Sequence, residues 1–133
     1  MPYVKLYLLT VPVFFAIDML WLGVIAKNFY RTQLQALLRP EVNWAAAIGF
    51  YLVYIIGILV FAVVPALERQ SLLHAALLGA LFGFFTYATY DLTNLATLRG
   101  WPPVVVVVDI LWGTALCTAV ASAAYAIGRW LMG

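Results

Sequence analysis

The stretch LLHAALLGALFGFFTYATYDLTNLATLRGWPPVVVVVDILWGT, residues 72–114, decides the fold of this chain. It starts with a mainly apolar run from about Leu72 to Leu98, which exceeds the roughly 20 residues that cross a bilayer's hydrocarbon core. The string RGWPP that follows, residues 99–103, predicts a tight turn because proline lacks an amide donor and restricts its predecessor. Five valines then begin a second apolar run. An open strand edge would leave backbone groups unsatisfied in lipid, so both runs are predicted to be transmembrane helices.

The rest of the chain repeats this pattern. Of its 133 residues, 67% are hydrophobic and only 9% are charged, whereas a soluble domain carries about a quarter charged residues. The sequence therefore predicts an all-α polytopic membrane protein, a four-transmembrane-helix bundle that forms a single domain over residues 1–133. The predicted spans cover about 3–26, 44–64, 72–98 and 104–129, and Pro65 is expected to end the second span.

Charge and cysteine content exclude several classes of function. The net charge of +2 is small and dispersed along the chain, which argues against nucleic acid as a partner. Cys117 is the single cysteine and His74 the single histidine, so the sequence predicts neither a disulfide nor a metal site built on cysteine and histidine. No cofactor is predicted.

An amphipathic segment, KNFYRTQLQALLRP, follows the first span over about residues 27–40. Its polar residues recur every four positions, which predicts an interfacial helix lying on the membrane surface and ending at Pro40. We expect Lys27, Arg31 and Arg39 to contact lipid headgroups, anionic ones in particular. The lipid bilayer is thus the first predicted partner.

Three aspartates, Asp18, Asp91 and Asp109, fall inside the predicted spans, where an ionisable side chain by default marks a functional site. They lie eight residues before Ala26, seven before Leu98 and six after Pro103, or about 9 to 12 Å from the span ends at the helical rise. Because successive spans run in opposite directions, all three carboxyls are predicted to share one layer. Three close carboxyls cannot all ionise cheaply, so we expect a protonated or proton-sharing group unless a cation sits among them.

Other side chains are predicted to share this layer. Helical geometry places one small and polar stripe on the third span, formed by Gly79, Gly83, Tyr87, Tyr90, Asp91, Asn94 and Thr97. Trp21 and Trp112 each follow an aspartate in the repeated pattern Asp-x-Leu-Trp and are predicted to form walls of a pocket, with Arg99 and Lys27 as the nearest candidate counter-charges. The second span, with Tyr51 and Tyr54 near its middle, is predicted to supply tyrosines and glycines. Ala115, Ala119 and Ala123 predict a seam for close helix packing. Trp44, Trp101 and Trp130 are expected to be membrane-interface residues.

The sequence leaves three functions open. The first is binding or chemical alteration of a lipid-soluble molecule, with Asp18, Asp91 and Asp109 as catalytic proton donors and acceptors; its substrate-binding residues are then Trp21, Tyr87, Tyr90, Asn94, Trp112 and Arg99. The second is a small transporter in which the same acids carry protons or bind a cation. The third is an accessory or structural subunit without chemistry. Four spans of this length can also leave a groove that a second copy closes, so a homo-oligomer is considered.

Several longer strings resemble one family of proteins. They are LWLGVIAKNFYR (residues 20–31), FYLVYIIGILVFAVVPAL (50–67), GALFGFFTYATYDLTNLATLRGWP (79–102) and VDILWGT (108–114), and they are similar to the bacterial family of small membrane proteins catalogued as domain of unknown function 2177. The resemblance implies four helices in a bacterial inner membrane and supplies no activity or catalytic residues. It also implies that the protein is encoded beside lipid-modifying enzymes of the cyclopropane-synthase type, which favours the lipid hypothesis.

Overall fold

The computed structural model describes residues 2–38 and 41–132 of the chain. The fold is 88% helical, and no strand occurs in this described part of the chain. The helices are α1 (Pro2–Ile25), α2 (Lys27–Leu34), α3 (Trp44–Glu68), α4 (Leu72–Thr97) and α5 (Pro103–Met132). Four of them, α1, α3, α4 and α5, are long and apolar enough to cross a membrane. The predicted four-span helical architecture is confirmed.

The closest helix packing joins α4 to α5 and depends on glycine. A Cβ atom built on Gly83 would lie 2.2 Å from the Gly113 carbonyl oxygen, and one on Gly79 would lie 2.6 Å from the Cys117 carbonyl oxygen. Small residues are the usual means by which helices approach in a membrane, where water does not drive their association. The glycines on the predicted stripe of the third span are therefore buried against protein.

The prediction that an alanine seam packs the fourth span against its neighbours is wrong. Ala115 and Ala119 are exposed on the surface of α5. The face that packs instead carries Gly113, Cys117 and Ala121, which are buried and lie four residues apart. Both stripes have small residues at the same spacing. The glycines of α4 pack against the stripe that contains Gly113 and Cys117, because they contact its backbone.

Helix α3 does not end at Pro65 as expected but continues to Glu68. The turn before the proline, Leu59–Val63, is π-helical. Proline removes the amide that would bond to the carbonyl four residues earlier, and a π turn is one of the few distortions by which a helix accommodates such a break. The span is therefore longer than the sequence alone indicates.

The segment after α1 forms a shorter helix than predicted. Helix α2 covers Lys27–Leu34 and is followed by a turn up to Leu38. Arg39 and Pro40, to which the expected helix extended, lie outside the described residues. Lys27 and Arg31 are exposed, as contact with lipid headgroups requires, and the placement of α2 on a membrane surface stays a prediction.

Helix α3 packs unevenly against the rest of the bundle. Its second half, from about Ile55 to Ala66, contributes buried residues that meet α4 and α5. Residues 44–50 at the other end are almost all exposed, and the first half of the helix makes few contacts with α4 and α5. The space left beside it is a cavity inside the bundle.

Candidate functional site

The cavity has a volume of about 600 Å³ and lies among the four spans, with α2 at one side. Every helix contributes to its wall, which is mainly aromatic and carries two carboxyl groups. The lining residues are Asp18, Trp21, Leu22, Tyr30, Leu34, Phe50, Tyr51, Tyr54, Thr86, Tyr87, Tyr90, Trp101, Asp109 and Trp112. A concave, largely apolar space with a few converging polar groups is the usual form of a small-molecule site.

The carboxyl of Asp18 meets the fourth span at the cavity wall. Asp18 is only 3% exposed, and its Oδ1 accepts a hydrogen bond from the indole Nε1 of Trp112 at 3.3 Å. The Tyr51 hydroxyl faces the same carboxyl from α3. A carboxylate can accept about four hydrogen bonds, so Asp18 keeps capacity for a ligand in the cavity.

Asp109 is reached from the other direction by α2. The Trp21 Nε1 donates to the Tyr30 hydroxyl at 3.1 Å, and this hydroxyl donates in turn to Oδ1 of Asp109. Burial, and after it the hydrogen bond to Asp109, raises the pKa of Tyr30 above its ordinary value. The phenol consequently stays protonated and remains a donor to the carboxyl.

Asp91 lies behind this wall rather than in it. Its side chain is fully buried at 0% exposure, and neither carboxyl oxygen has a hydrogen-bond partner among the described residues. The carboxyl faces Asp109 and Trp101, both of which line the cavity. The indole Nε1 of Trp101 is likewise buried without a hydrogen-bond partner among the described residues. Buried polar groups of this kind are rare and mark sites where something else binds or reacts.

The structure brings most of the predicted site residues together. Asp18, Asp109, Trp21, Trp112, Tyr87 and Tyr90 line one cavity, and Asp91 adjoins it. Two expected residues do not reach it: Asn94 lies beside Tyr90 outside the wall, and Arg99 is exposed. Arg99 lies beyond the end of α4 at Thr97, in the exposed turn that precedes Trp101.

Some lining residues were not predicted. Trp101 is only 8% exposed and lies in the wall, so its assignment as an interface residue is wrong, whereas Trp44 and Trp130 are exposed. Tyr30 falls within the predicted interfacial helix of residues 27–40 and is not among the predicted site residues. Tyr51 and Tyr54, the tyrosines that the second span is predicted to supply, line the cavity from one face of α3. For Tyr30 the sequence offers no signal that places it in the site.

Acidic groups without basic ones occupy the wall. Within the described residues, Asp18 and Asp109 are the acids that line the cavity, and no lysine or arginine does. The described residues also hold no group of three histidine, cysteine or acidic side chains that could ligate a metal ion. The cavity is thus an acidic and aromatic site without a counter-cation from these residues.

The fold and the site define a polytopic helical membrane protein with an acidic, aromatic cavity inside its bundle. The chain belongs to the family described as "Predicted membrane protein (DUF2177)", whose model matches residues 3–126. The resemblance noted in the sequence is thereby confirmed. No curated protein and no solved structure matches the chain.

Proposed function

We propose that the protein binds a lipid-soluble small molecule in the cavity, with the polar end of the molecule at Asp18 and Asp109. The observation that carries this proposal is the composition of the wall, where nine of the 14 lining residues are aromatic and two carboxyls converge. An apolar body would lie along the aromatic side chains, and the carboxyls would fix its orientation.

The position of the cavity supports entry from the bilayer. Phe50 of α3 and Tyr90 of α4 line the cavity yet are 55% and 57% exposed, so the space opens between these two helices. Phe50 lies six residues from the start of α3 and Tyr90 seven from the end of α4, which is about 10 Å into each span. At that depth the opening faces acyl chains, and a lipid-soluble ligand could enter sideways.

The acids could also act chemically on such a ligand. Asp91 and Asp109 are neighbouring carboxyls in different surroundings, since Asp109 accepts a hydrogen bond from Tyr30 while Asp91 has no partner among the described residues. Two carboxyls whose environments differ in this way can divide the roles of proton donor and proton acceptor. Binding is the minimum function, and acid–base modification is an extension of it.

Transport coupled to protons or cations is a second candidate. It is favoured by the carboxyl of Asp91, which is buried without a hydrogen-bond partner among the described residues and lies directly behind the cavity-lining Asp109. Acids placed in this way within a membrane commonly form proton relays. Flux of protons in proteoliposomes, compared between the wild type and Asp91→Asn, tests this alternative.

The binding proposal is tested by filling the cavity. Leu22→Trp adds bulk to a lining residue that is 38% exposed, and Val24→Trp adds the same side chain two residues on, at a position that is 71% exposed and outside the wall. We expect wild type and Val24→Trp to retain co-purifying lipid-soluble molecules in native mass spectrometry, and Leu22→Trp to lose them. Equal retention by both variants, or none by the wild type, would contradict the proposal and favour an accessory role.

We further propose that the protein resides in a bacterial inner membrane with Lys27 and Arg31 against anionic headgroups. Both side chains are exposed on α2, next to the cavity-lining Tyr30. Replacing both by glutamine should weaken binding of phosphatidylglycerol to the purified protein, measured by native mass spectrometry. Replacing Lys5 and Arg129 by glutamine serves as the control, because these residues lie near the start of α1 and the end of α5, away from α2.

A further inference from the structure

The cavity carries carboxyl groups and no positive side chain from the described residues. Asp18 and Asp109 stand in its wall, and Asp91 is buried immediately behind Asp109. Carboxyls gathered in a low-dielectric space repel one another when ionised, and a positive charge among them relieves this repulsion. A cation bound among these carboxyls would supply the positive charge that no described side chain in the wall provides.

The aromatic wall points to the same ligand chemistry. Ring faces carry negative electrostatic potential and attract cations, more strongly where water is excluded. Trp21 and Trp112 form a stacked pair that joins the two acids, and both indoles line the cavity. A carboxyl bounded by aromatic faces suits an ammonium or onium centre better than a metal ion, which prefers a full set of oxygen or nitrogen ligands.

Asp91 supplies an independent observation. Its two oxygens are fully buried and unpartnered among the described residues, and they face the carboxyl of Asp109. Leaving such a group without any partner is costly. A cation bound at Asp109 would supply the opposite charge that no described side chain provides.

We propose that the polar end of the ligand is a cation, either a protonated amine or an onium centre, held between Asp18 and Asp109 on an apolar body. This inference rests on the proposed function and names the ligand class for the same cavity. Two sources share the chemistry. One is a lipid whose headgroup carries an ammonium centre beside a phosphate, and the other is a free lipophilic cation without phosphate.

Tetraphenylphosphonium and tetraphenylborate provide a matched pair of probes, because they have nearly the same shape and opposite charge. Equilibrium dialysis against the purified protein in a neutral maltoside detergent, with empty micelles as the blank, measures each. We expect saturable binding of tetraphenylphosphonium that is at least about a hundredfold tighter than binding of tetraphenylborate. Equal binding of both ions would overturn the inference.

Variants locate the bound cation. Asp18→Asn and Asp109→Asn should each weaken tetraphenylphosphonium binding by about tenfold or more, whereas Glu41→Gln, which removes an exposed acid, should leave it unchanged. If either Asn variant fails to fold, Asp109→Glu keeps the charge and should retain binding. Tight binding that survives both Asn substitutions in folded protein would overturn the assignment to these acids.

Competition separates the two sources. Hexadecyltrimethylammonium has an onium centre without phosphate, and lysophosphatidylcholine adds the phosphate to the same centre. Displacement of tetraphenylphosphonium by the first alone identifies a phosphate-free cation, and displacement by both identifies a headgroup. Displacement by neither contradicts the inference.

A neutral probe distinguishes failure of the cation inference from failure of the proposed binding function. A spin-labelled fatty alcohol, which is neutral, quenches tryptophan fluorescence when it enters the cavity beside Trp21 and Trp112. Binding of the alcohol without binding of tetraphenylphosphonium would overturn the cation inference alone. If neither probe binds, both proposals are wrong.

Discussion

Trp21 and Trp112 stack with ring centroids 4.5 Å apart and planes 7° from parallel. Each tryptophan lies three residues after an aspartate, and the two helices run in opposite directions. As a result each indole reaches toward the acid of the other helix: Trp112 donates to Asp18 directly, and Trp21 reaches Asp109 through Tyr30. In the repeated Asp-x-Leu-Trp pattern, the tryptophan of each string therefore supports the aspartate of the other string.

This crossing predicts energetic coupling between the two tryptophans. Trp21→Leu and Trp112→Leu should each destabilise the fold, and the double variant should lose about 1 kcal/mol less than the sum, because a stacked pair contributes that much beyond its buried area. Unfolding by SDS titration measures the cycle. Trp44→Leu and Trp130→Leu, at positions 64% and 78% exposed, form the control pair, and coupling of similar size there would contradict the expectation.

The phenol of Tyr30 is predicted to hold α2 against the bundle. Tyr30→Phe removes the donor to Asp109 and leaves a buried carboxyl short of a partner, which should cost about 1 to 3 kcal/mol of the free energy of unfolding. Tyr3→Phe, at an exposed position of α1, should cost almost nothing. Hydrogen exchange of α2 amides should also rise in Tyr30→Phe. Unchanged exchange would show that the hydrogen bond does not anchor this helix.

The glycine contact between α4 and α5 should not tolerate a methyl group. Gly83→Ala places a Cβ atom 2.2 Å from the Gly113 carbonyl oxygen, so the helices must separate, at a cost of about 1 to 3 kcal/mol or more. Gly49→Ala meets nothing within 4 Å, and it should be neutral or slightly stabilising because alanine favours helix. Thermal unfolding in detergent compares the two variants. Equal stability would contradict this packing.

Asp91 is predicted to reduce stability for the benefit of function. Asp91→Asn keeps the shape of the side chain and removes a buried acid beside Asp109, so we expect the free energy of unfolding to rise by about 1 kcal/mol. The same variant should bind the ligand more weakly. Asp109→Asn offers a comparison, since it replaces the acid that accepts the Tyr30 hydrogen bond by a weaker neutral acceptor and should destabilise. A loss of stability in Asp91→Asn would indicate a purely structural carboxyl.

The sequence could predict the spans and the acidic layer because both follow from length and polarity. About 20 apolar residues have few alternatives to a transmembrane helix, and acids within them are too costly to face lipid. The identity of the wall was harder to predict. Trp101 follows a span end and so resembled an interface residue, yet it folds back against Val105 and Leu34.

The choice between α5's two small-residue stripes also lay beyond the sequence. Ala115 and Ala119 have the same spacing as Gly113 and Cys117, and only the rotation of α5 against Gly79 and Gly83 decides which stripe is buried. That rotation is a property of tertiary packing. The continuation of α3 past Pro65 was missed for a related reason, because local rules for proline do not anticipate a compensating π turn.

The last turn of α1, Trp21–Ile25, is π-helical, and such a turn is equivalent to one residue inserted into an α-helix. Because the turn absorbs that extra residue, deleting one residue from it would restore α-helical geometry with Tyr30 still near Asp109. Deleting Met19 from the α-helical turn before it would instead rotate everything downstream by about 100°, and Tyr30 would swing away from Asp109 while Asp18 stayed in place. The polar wall of the cavity is accordingly fixed by residue count as much as by residue type, so the deletion of Met19 should be more damaging than a deletion within Trp21–Ile25.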